Sequence, residues 1–206
     1  WINKINTQNL TVNGKAVTTN YLVKAGDLAE HTSEPKIEPD VNTAIELLYA
    51  DEDIWIINKP SPLPVHASGR FKRNTLLEIL ELAFPNDEFK LLHRIDANTT
   101  GIVLIAKNKV AANTIREQFE AKKIKKTYAA LVEGIIQENN ITATQSIGNE
   151  VLIGGAREVD EQGKKSETEI EVVERRMDKN QSLLKVIPLT GRTNQIRLHL
   201  ADLGYP

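Results

Sequence analysis

The chain has 206 residues, 40% of them hydrophobic and 26% charged, with a formal net charge of −2 at pH 7 and no cysteine. That is the composition of a soluble globular sequence, with room for one sizeable domain and a small second one. Lack of cysteine excludes disulfides, thiolate metal sites and a cysteine nucleophile, and no apolar run approaches the ~20 residues a membrane span needs.

The opening WINKINTQNL has neither the basic nor the apolar segment of a secretory signal, so a cytoplasmic location is expected. LTVNGKAV predicts a small hairpin turning at Asn13-Gly14. The polar, proline-containing stretch 30–43 reads as a connector. IELLYA and IWIINKP, separated by the turn DED, predict an antiparallel pair. TLLEILELAF (75–84) has helical spacing and stops before Pro85. IVLIA (102–106) reads as a buried strand. The following NKVAANTIREQFEAKK places Ala111, Ile115 and Phe119 on one helical face. KTYAALVEG predicts a strand ending at glycine, ETEIEVVER and SLLKVIPL a hairpin about RMDKNQ, and NQIRLHLADLG a helix with a glycine stop. The expected fold is α+β, a mixed and largely antiparallel sheet with flanking helices, without the strand–helix alternation of a doubly wound parallel sheet. The chain starts on Trp1 and stops at LADLGYP with no closing element, so a fragment is expected.

Net charge argues mildly against nucleic-acid binding, but its distribution is uneven. GRFKR (69–73) and AKKIKK (121–126) are basic, whereas acid gathers in 28–53 and 158–174. Either basic run alone reads first as a solvated face.

Asp96 stands in LLHRIDANTTGIVLIAKN (91–108), at the lip of the apolar run. It has two readings. It bonds backbone amides in a turn, or it serves as nucleophile or general base, already ionised at neutral pH. A carboxylate withdrawn from water needs a cationic partner, and Arg94, Arg192 and Arg197 are the candidates. His93 and His199 lack metal-ligand spacing and read as structural or hydrogen-bonding residues. TGRTNQIR sets Arg192 and Arg197 across a loop-to-helix boundary, a setting suited to phosphate or carboxylate. Tyr128 reads either as a core or strand aromatic, or as a ring that stacks on a base with a hydroxyl available for proton transfer. Gly101 and Gly191 belong to no GxxxxGK[ST] or GxGxxG phosphate loop.

HRIDANTTG (93–101) resembles the HRLDxxTSG signature of RluA-type pseudouridine synthases. Three further blocks follow the family's order: LYADEDIWIINKPSPLPVHASGR with its NKP and VH, KKTYAALVEG as KxYxAxVxG, and LTGRTNQIRLHLADLGYP as TGRTHQIRxHxxxxGxP. Together they cover most of residues 47–206. VNGKAVTTNYLVKAGD resembles the second half of the small RNA-binding domain, shared with a ribosomal protein, that often precedes this catalytic domain. The division expected is therefore 1–33 for a partial RNA-binding domain, 34–44 for a linker and 45–206 for the catalytic domain, its C-terminal end missing. Ile95 and Thr100 stand where Leu and Ser are usual. Asn194 replaces the usual His, with an altered supporting hydrogen bond expected, and the chain stops before the usual IxGD.

The resemblance implies isomerisation of uridine to pseudouridine in rRNA or tRNA, without cofactor or metal, by a protein that binds RNA; no membrane partner is expected, and a monomer is the default expectation. The wording around PLPVHASGR leans towards the branch acting on transfer RNA. By position, Asp96 is the catalytic carboxylate, Arg197 its partner, and Tyr128 the ring that stacks on the uracil and helps remove the carbon-5 proton. Arg94 fills the space left by the flipped uridine or holds its phosphate, and Arg192 joins it as an anion contact. Arg70, Lys72, Arg73, Lys125 and Lys126 lie along the RNA backbone, although each lysine reads equally as solvated surface. The alternatives are a non-catalytic RNA-binding or RNA-chaperone protein on the same fold, and an unrelated carboxylate-dependent hydrolase.

Overall fold

The computed structural model describes residues 1–32, 37–150 and 157–206. It divides into two compact units, Trp1–Pro39 and Asp40–Pro206. Of the expected linker, residues 34–36 lie outside the described residues.

The first unit holds α1 (Ile2–Asn6), β1 (Leu10–Val12), β2 (Lys15–Ala16) and β3 (Ala29–His31). β1 pairs antiparallel with both others, so the sheet order is β2-β1-β3. Asn13 and Gly14 turn the hairpin with φ of 51° and 73°, the paired positive angles for which Asn-Gly is suited. β3 takes up Glu30 and His31, which polar composition alone assigned to the connector. A short strand needs no apolar residues when its stability comes from backbone pairing to β1.

The second unit is built on two four-stranded antiparallel sheets. The first has the order β4-β5-β7-β6, from β4 (Glu46–Ala50), β5 (Ile54–Lys59), β6 (Lys90–Leu91) and β7 (Gly101–Ala106). The second has the order β8-β11-β10-β9, from β8 (Tyr128–Glu133), β9 (Asn140–Ala143), β10 (Thr168–Arg176) and β11 (Gln181–Pro188). The expected α+β class with antiparallel strands and flanking helices is the one observed.

Each sheet has its own core. Trp55 and Ile57 of β5 and Val103 and Ile105 of β7 alternate inward against Leu76 and Leu80 of α2 (Leu76–Ala83). Thr75 caps α2 by accepting from the Glu78 amide at 3.3 Å. α3 (Lys109–Glu120), capped by Asn108 on the Ala111 amide, turns Ala111, Ile115 and Phe119 inward as their spacing predicts. The second core collects Val132, Ile170, Leu184 and Val186 under Leu200 of α4 (Gln195–Asp202). Tyr128, the first residue of β8, packs against both cores and so marks the seam between the sheets. No helix among the described residues is long and apolar enough to cross a membrane.

Candidate active site

The chain peels away from the first sheet after β6 and returns as β7, and the loop between carries HRID. β6 pairs only with Ala106 and Ile105 of β7. The next outward amide, that of Leu104, donates instead to Nε2 of His93 at 3.0 Å. An imidazole thus replaces the ladder bond where the backbone leaves. Because Nε2 accepts, the ring proton sits on Nδ1, which is buried and has no partner among the described residues. Burial first, and the charge of Lys126 second, push the His93 pKa down to about 4, so the ring is neutral at ordinary pH.

After His93 the loop alternates: Arg94 is exposed, Ile95 enters the first core, and Asp96 turns to the seam. The Thr99 amide closes on the Asp96 carbonyl at 3.1 Å, and Gly101 re-enters β7 at φ 118°, a region that disfavours a Cβ. The threonines and glycine after HRID therefore shape the turn that presents the aspartate.

Lys59 holds this loop from beneath. It is 0% exposed, and its ammonium donates to the carbonyls of Pro60 (2.8 Å), Leu63 (2.7 Å) and Ala97 (3.2 Å). Burial lowers its pKa to about 8, against the opposing pull of the Asp96 charge. All three protons are engaged by carbonyls, so Lys59 fixes the backbone beside Asp96 and acts on the carboxylate only through its field. Sequence reading passed over it as part of NKP. The signal was present in the strand's period, since Trp55, Ile57 and Lys59 share the inward parity of β5.

Of the three candidate cations for Asp96, the ion pair falls to Arg197, whose Nε lies 3.4 Å from Oδ2 of the aspartate. Asp96 is 27% exposed and Arg197 60%, which places the pair at a mouth that solvent and a ligand both reach. Arg94 is engaged instead with His66 at 2.9 Å, and Arg192 donates to the Lys165 carbonyl at 3.2 Å. Tyr128 is half-buried at the seam. Burial, then the negative charge of Asp96, raises its pKa and keeps it a phenol at neutral pH.

The loop before α4 is stapled to β10 by the buried Gln195. Its carbonyl accepts from the Thr190 hydroxyl (2.8 Å) and the Arg192 amide (2.9 Å), and its amide donates to the Glu167 carbonyl and the Thr168 hydroxyl, both at 2.9 Å. One turn on, His199 is 0% exposed and bonded to Thr168, Ser166 and the Gln145 carbonyl. The structural reading of His199 is the observed one. Asn194 sits at the helix N-cap in the left-handed region, φ 59°, and makes no capping bond through its side chain. Asn tolerates that conformation better than most residues, and its role here is in the backbone.

These parts enclose a cleft of about 380 Å³ lined by Arg94, Asp96, Lys126, Tyr128, Arg192 and Arg197 among others. Among the expected RNA-contacting residues, Lys125 lines a neighbouring groove, Arg70 sits on an exposed turn closed by Ser68 and Phe71, and Lys72 and Arg73 follow that turn, also exposed, all three outside both linings. Among the described residues no group of His, Asp or Glu is arranged to hold a metal.

The arrangement can be set beside known proteins. Residues 53–202 match the family described as RNA pseudouridylate synthase. Over its whole length the chain is 31% identical to an uncharacterised RNA pseudouridine synthase of Synechocystis, of which it covers 71%. It is 34% identical, over 98% of its length, to ribosomal large subunit pseudouridine synthase C of Buchnera aphidicola, of which it covers 68%. In structure it is similar to human RNA Pseudouridylate Synthase Domain Containing 1, with a TM-score of 0.68 and 31% identity, over 82% of this chain and 69% of that one. Across the curated relatives it matches, the chain spans between 33% and 71% of their length. The matched span contains the second sheet, all of the first sheet except β4, the HRID loop and the Asp96–Arg197 pair, and by that match the chain belongs to the RNA pseudouridylate synthase family, isomerases acting on uridines in RNA.

Proposed function

We propose that this chain converts selected uridines of structured RNA to pseudouridine, with Asp96 as the catalytic carboxylate. The observation that carries the reading is the Asp96–Arg197 pair at the mouth of a cleft walled by a neutral tyrosine. The reaction breaks the bond from ribose C1′ to uracil N1, rotates the base, and joins C1′ to C5. The C5 proton leaves and N1 ends protonated, so atoms and charge balance without a redox partner. The Asp96 carboxylate, beside Arg197, stabilises positive charge developing at C1′ or bonds to it transiently, as glycosidase carboxylates do. The guanidinium orients the carboxylate and offsets its partial burial. Tyr128 stacks on the uracil, and its hydroxyl assists removal of the C5 proton.

The sugar–base bond is out of reach in stacked RNA, so the uridine must flip out, at a cost of a few kcal/mol. Arg94 fills the gap or holds the flanking phosphate. Arg192 and Lys126, on the cleft wall, supply further positive charge, and Lys125, Arg70, Lys72 and Arg73 extend it over the surface. The printed name of the Buchnera relative favours ribosomal RNA as the substrate, with transfer RNA the second candidate. In this reading residues 1–33 are part of an RNA-binding domain and 45–206 the catalytic domain, and the protein works as a cytoplasmic monomer without cofactor or metal.

The test uses RNA carrying tritium at C5 of uridine, which isomerisation releases to water. The full-length protein is expected to release tritium, and Asp96→Asn to release none while keeping its fold and RNA affinity. Turnover by Asp96→Asn would remove the aspartate from the chemistry. Binding without release by the wild type would leave a non-catalytic RNA binder.

A further inference from the structure

Arg197 reaches Asp96 across the seam with a side chain that is 60% exposed, so its direction depends on how α4 is set on the second sheet. Of the three buried residues of α4, Gln195, His199 and Leu200, two are polar. Gln195 and His199 are four residues apart and share one helix face. Arg197, two residues from each, lies about 200° round the axis from both. The buried polar anchors and the guanidinium are thus on opposite sides of the helix, and holding the first sets the rotation that aims the second.

The anchors are joined by hydrogen bonds whose proton directions are all determined. Backbone groups fix the Gln195 amide: its oxygen accepts from the Arg192 N–H, and its Nε2 donates to the Glu167 carbonyl. The other Nε2 proton goes to Oγ1 of Thr168 at 2.9 Å. At the far end stands the Gln145 carbonyl, which can only accept, 3.0 Å from Nε2 of His199. The ring proton therefore sits on Nε2, and Nδ1 is left to accept. Thr168 Oγ1 lies 2.9 Å from Nδ1 and gives its own proton there. One hydroxyl accepts from Gln195 and donates to His199. Thr168 is itself 0% exposed and paired in β10 to Ala143 on one side and Pro188 on the other, a rigid post for both anchors.

We infer that Thr168 is a positioning residue of the isomerisation, whose hydroxyl sets the rotation of α4 that aims Arg197 at Asp96. The inference rests on the proposed role of that pair. Serine in its place keeps both bonds. Valine matches the shape without the hydroxyl, strands a Gln195 proton and a His199 nitrogen in the interior, and lets α4 turn to relieve them.

The test compares Thr168→Val and Thr168→Ser in the full-length protein, by tritium release from C5-labelled uridine RNA and by nitrogen-15 spectra of the Arg197 Nε–H and the His199 ring. Thr168→Val is expected to lower kcat roughly 100-fold with KM for the RNA nearly unchanged, the effect of a small misplacement at a reacting centre. It is also expected to shift the Arg197 Nε–H signal. Thr168→Ser is expected to restore both. The wild-type ring of His199 is expected to carry its proton on Nε2; a proton on Nδ1 alone overturns the chain, and that reading needs no variant to fold. Undiminished kcat in Thr168→Val, an equal loss in Thr168→Ser, or a loss with the Arg197 signal unmoved each overturns the positioning role. A shifted Arg197 signal in Thr168→Val, with Asp96→Asn still turning over, upholds Thr168 as the residue that aims Arg197 and overturns only the proposed chemistry of the pair.

Discussion

At the scale of single residues, the site depends on where protons are held. His93 accepts from a backbone amide and is largely withdrawn from solvent, its Nδ1 buried, so its folded pKa of about 4 lies below the ordinary 6.5. Between those values the unfolded chain binds more protons than the folded one. The contribution of His93 to stability therefore rises with pH from about 4 to about 6.5 and is flat above. Unfolding in urea is expected to show a steeper pH dependence in this window for the wild type than for His93→Gln. Nitrogen-15 spectra are expected to show a ring protonated only at Nδ1 at pH 5. A titration midpoint near 6.5 would contradict the burial argument. Lys59 follows the same logic at the alkaline end. Its pKa of about 8 lies below the usual 10.5, so its burial penalty is fully present below pH 8 and fades as pH rises towards 10.5.

At the scale of elements, the first sheet is closed at one end by an aromatic cluster. Trp55 meets Phe84 edge-on at 4.9 Å and Phe89 at 5.1 Å. The Lys107 ammonium lies 4.6 Å over the Trp55 ring and 5.6 Å from that of Phe89, paired with Asp87 at 2.6 Å. This lysine follows β7 directly, so it ties the end of the strand to the segment after α2. Lys107→Ala removes a half-buried cation–π contact and an ion pair, and is expected to cost about 2 kcal/mol in urea unfolding. Lys107→Arg is expected to recover most of that. Activity per folded molecule should be unchanged in both, because the cluster lies outside the cleft lining.

At the scale of the whole molecule, the proposed RNA surface reaches beyond the cleft. If the exposed turn at 68–73 carries phosphate contacts, Arg70→Gln with Lys72→Gln lowers the slope of log affinity against log salt by about 1.5. An unchanged slope, measured by titrating RNA at several salt concentrations, would make this turn a solvated face. The site itself arises because two sheets with separate cores meet at Tyr128. Asp96 comes from a loop of the first sheet, and Arg197 from a helix packed on the second.

The sequence by itself determined the element types, because strand alternation and helical spacing are local. IWIINK, GIVLIA and the α3 face each follow from the period of their own residues. It also determined the four ordered blocks that carry the family resemblance, and with them the expectation that Asp96, Tyr128 and Arg197 share a site. Only the tertiary structure brings Arg197 within 3.4 Å of Asp96 while Arg94 turns to His66 and Arg192 to the Lys165 carbonyl, for that depends on which segments the seam brings close. Likewise it took folding to join Lys59 to the Ala97 carbonyl, far along the chain. β6 and β9, two and four residues long, escaped periodicity for the same reason: their stability comes from pairing with β7 and β10, and too few residues remain to show a pattern.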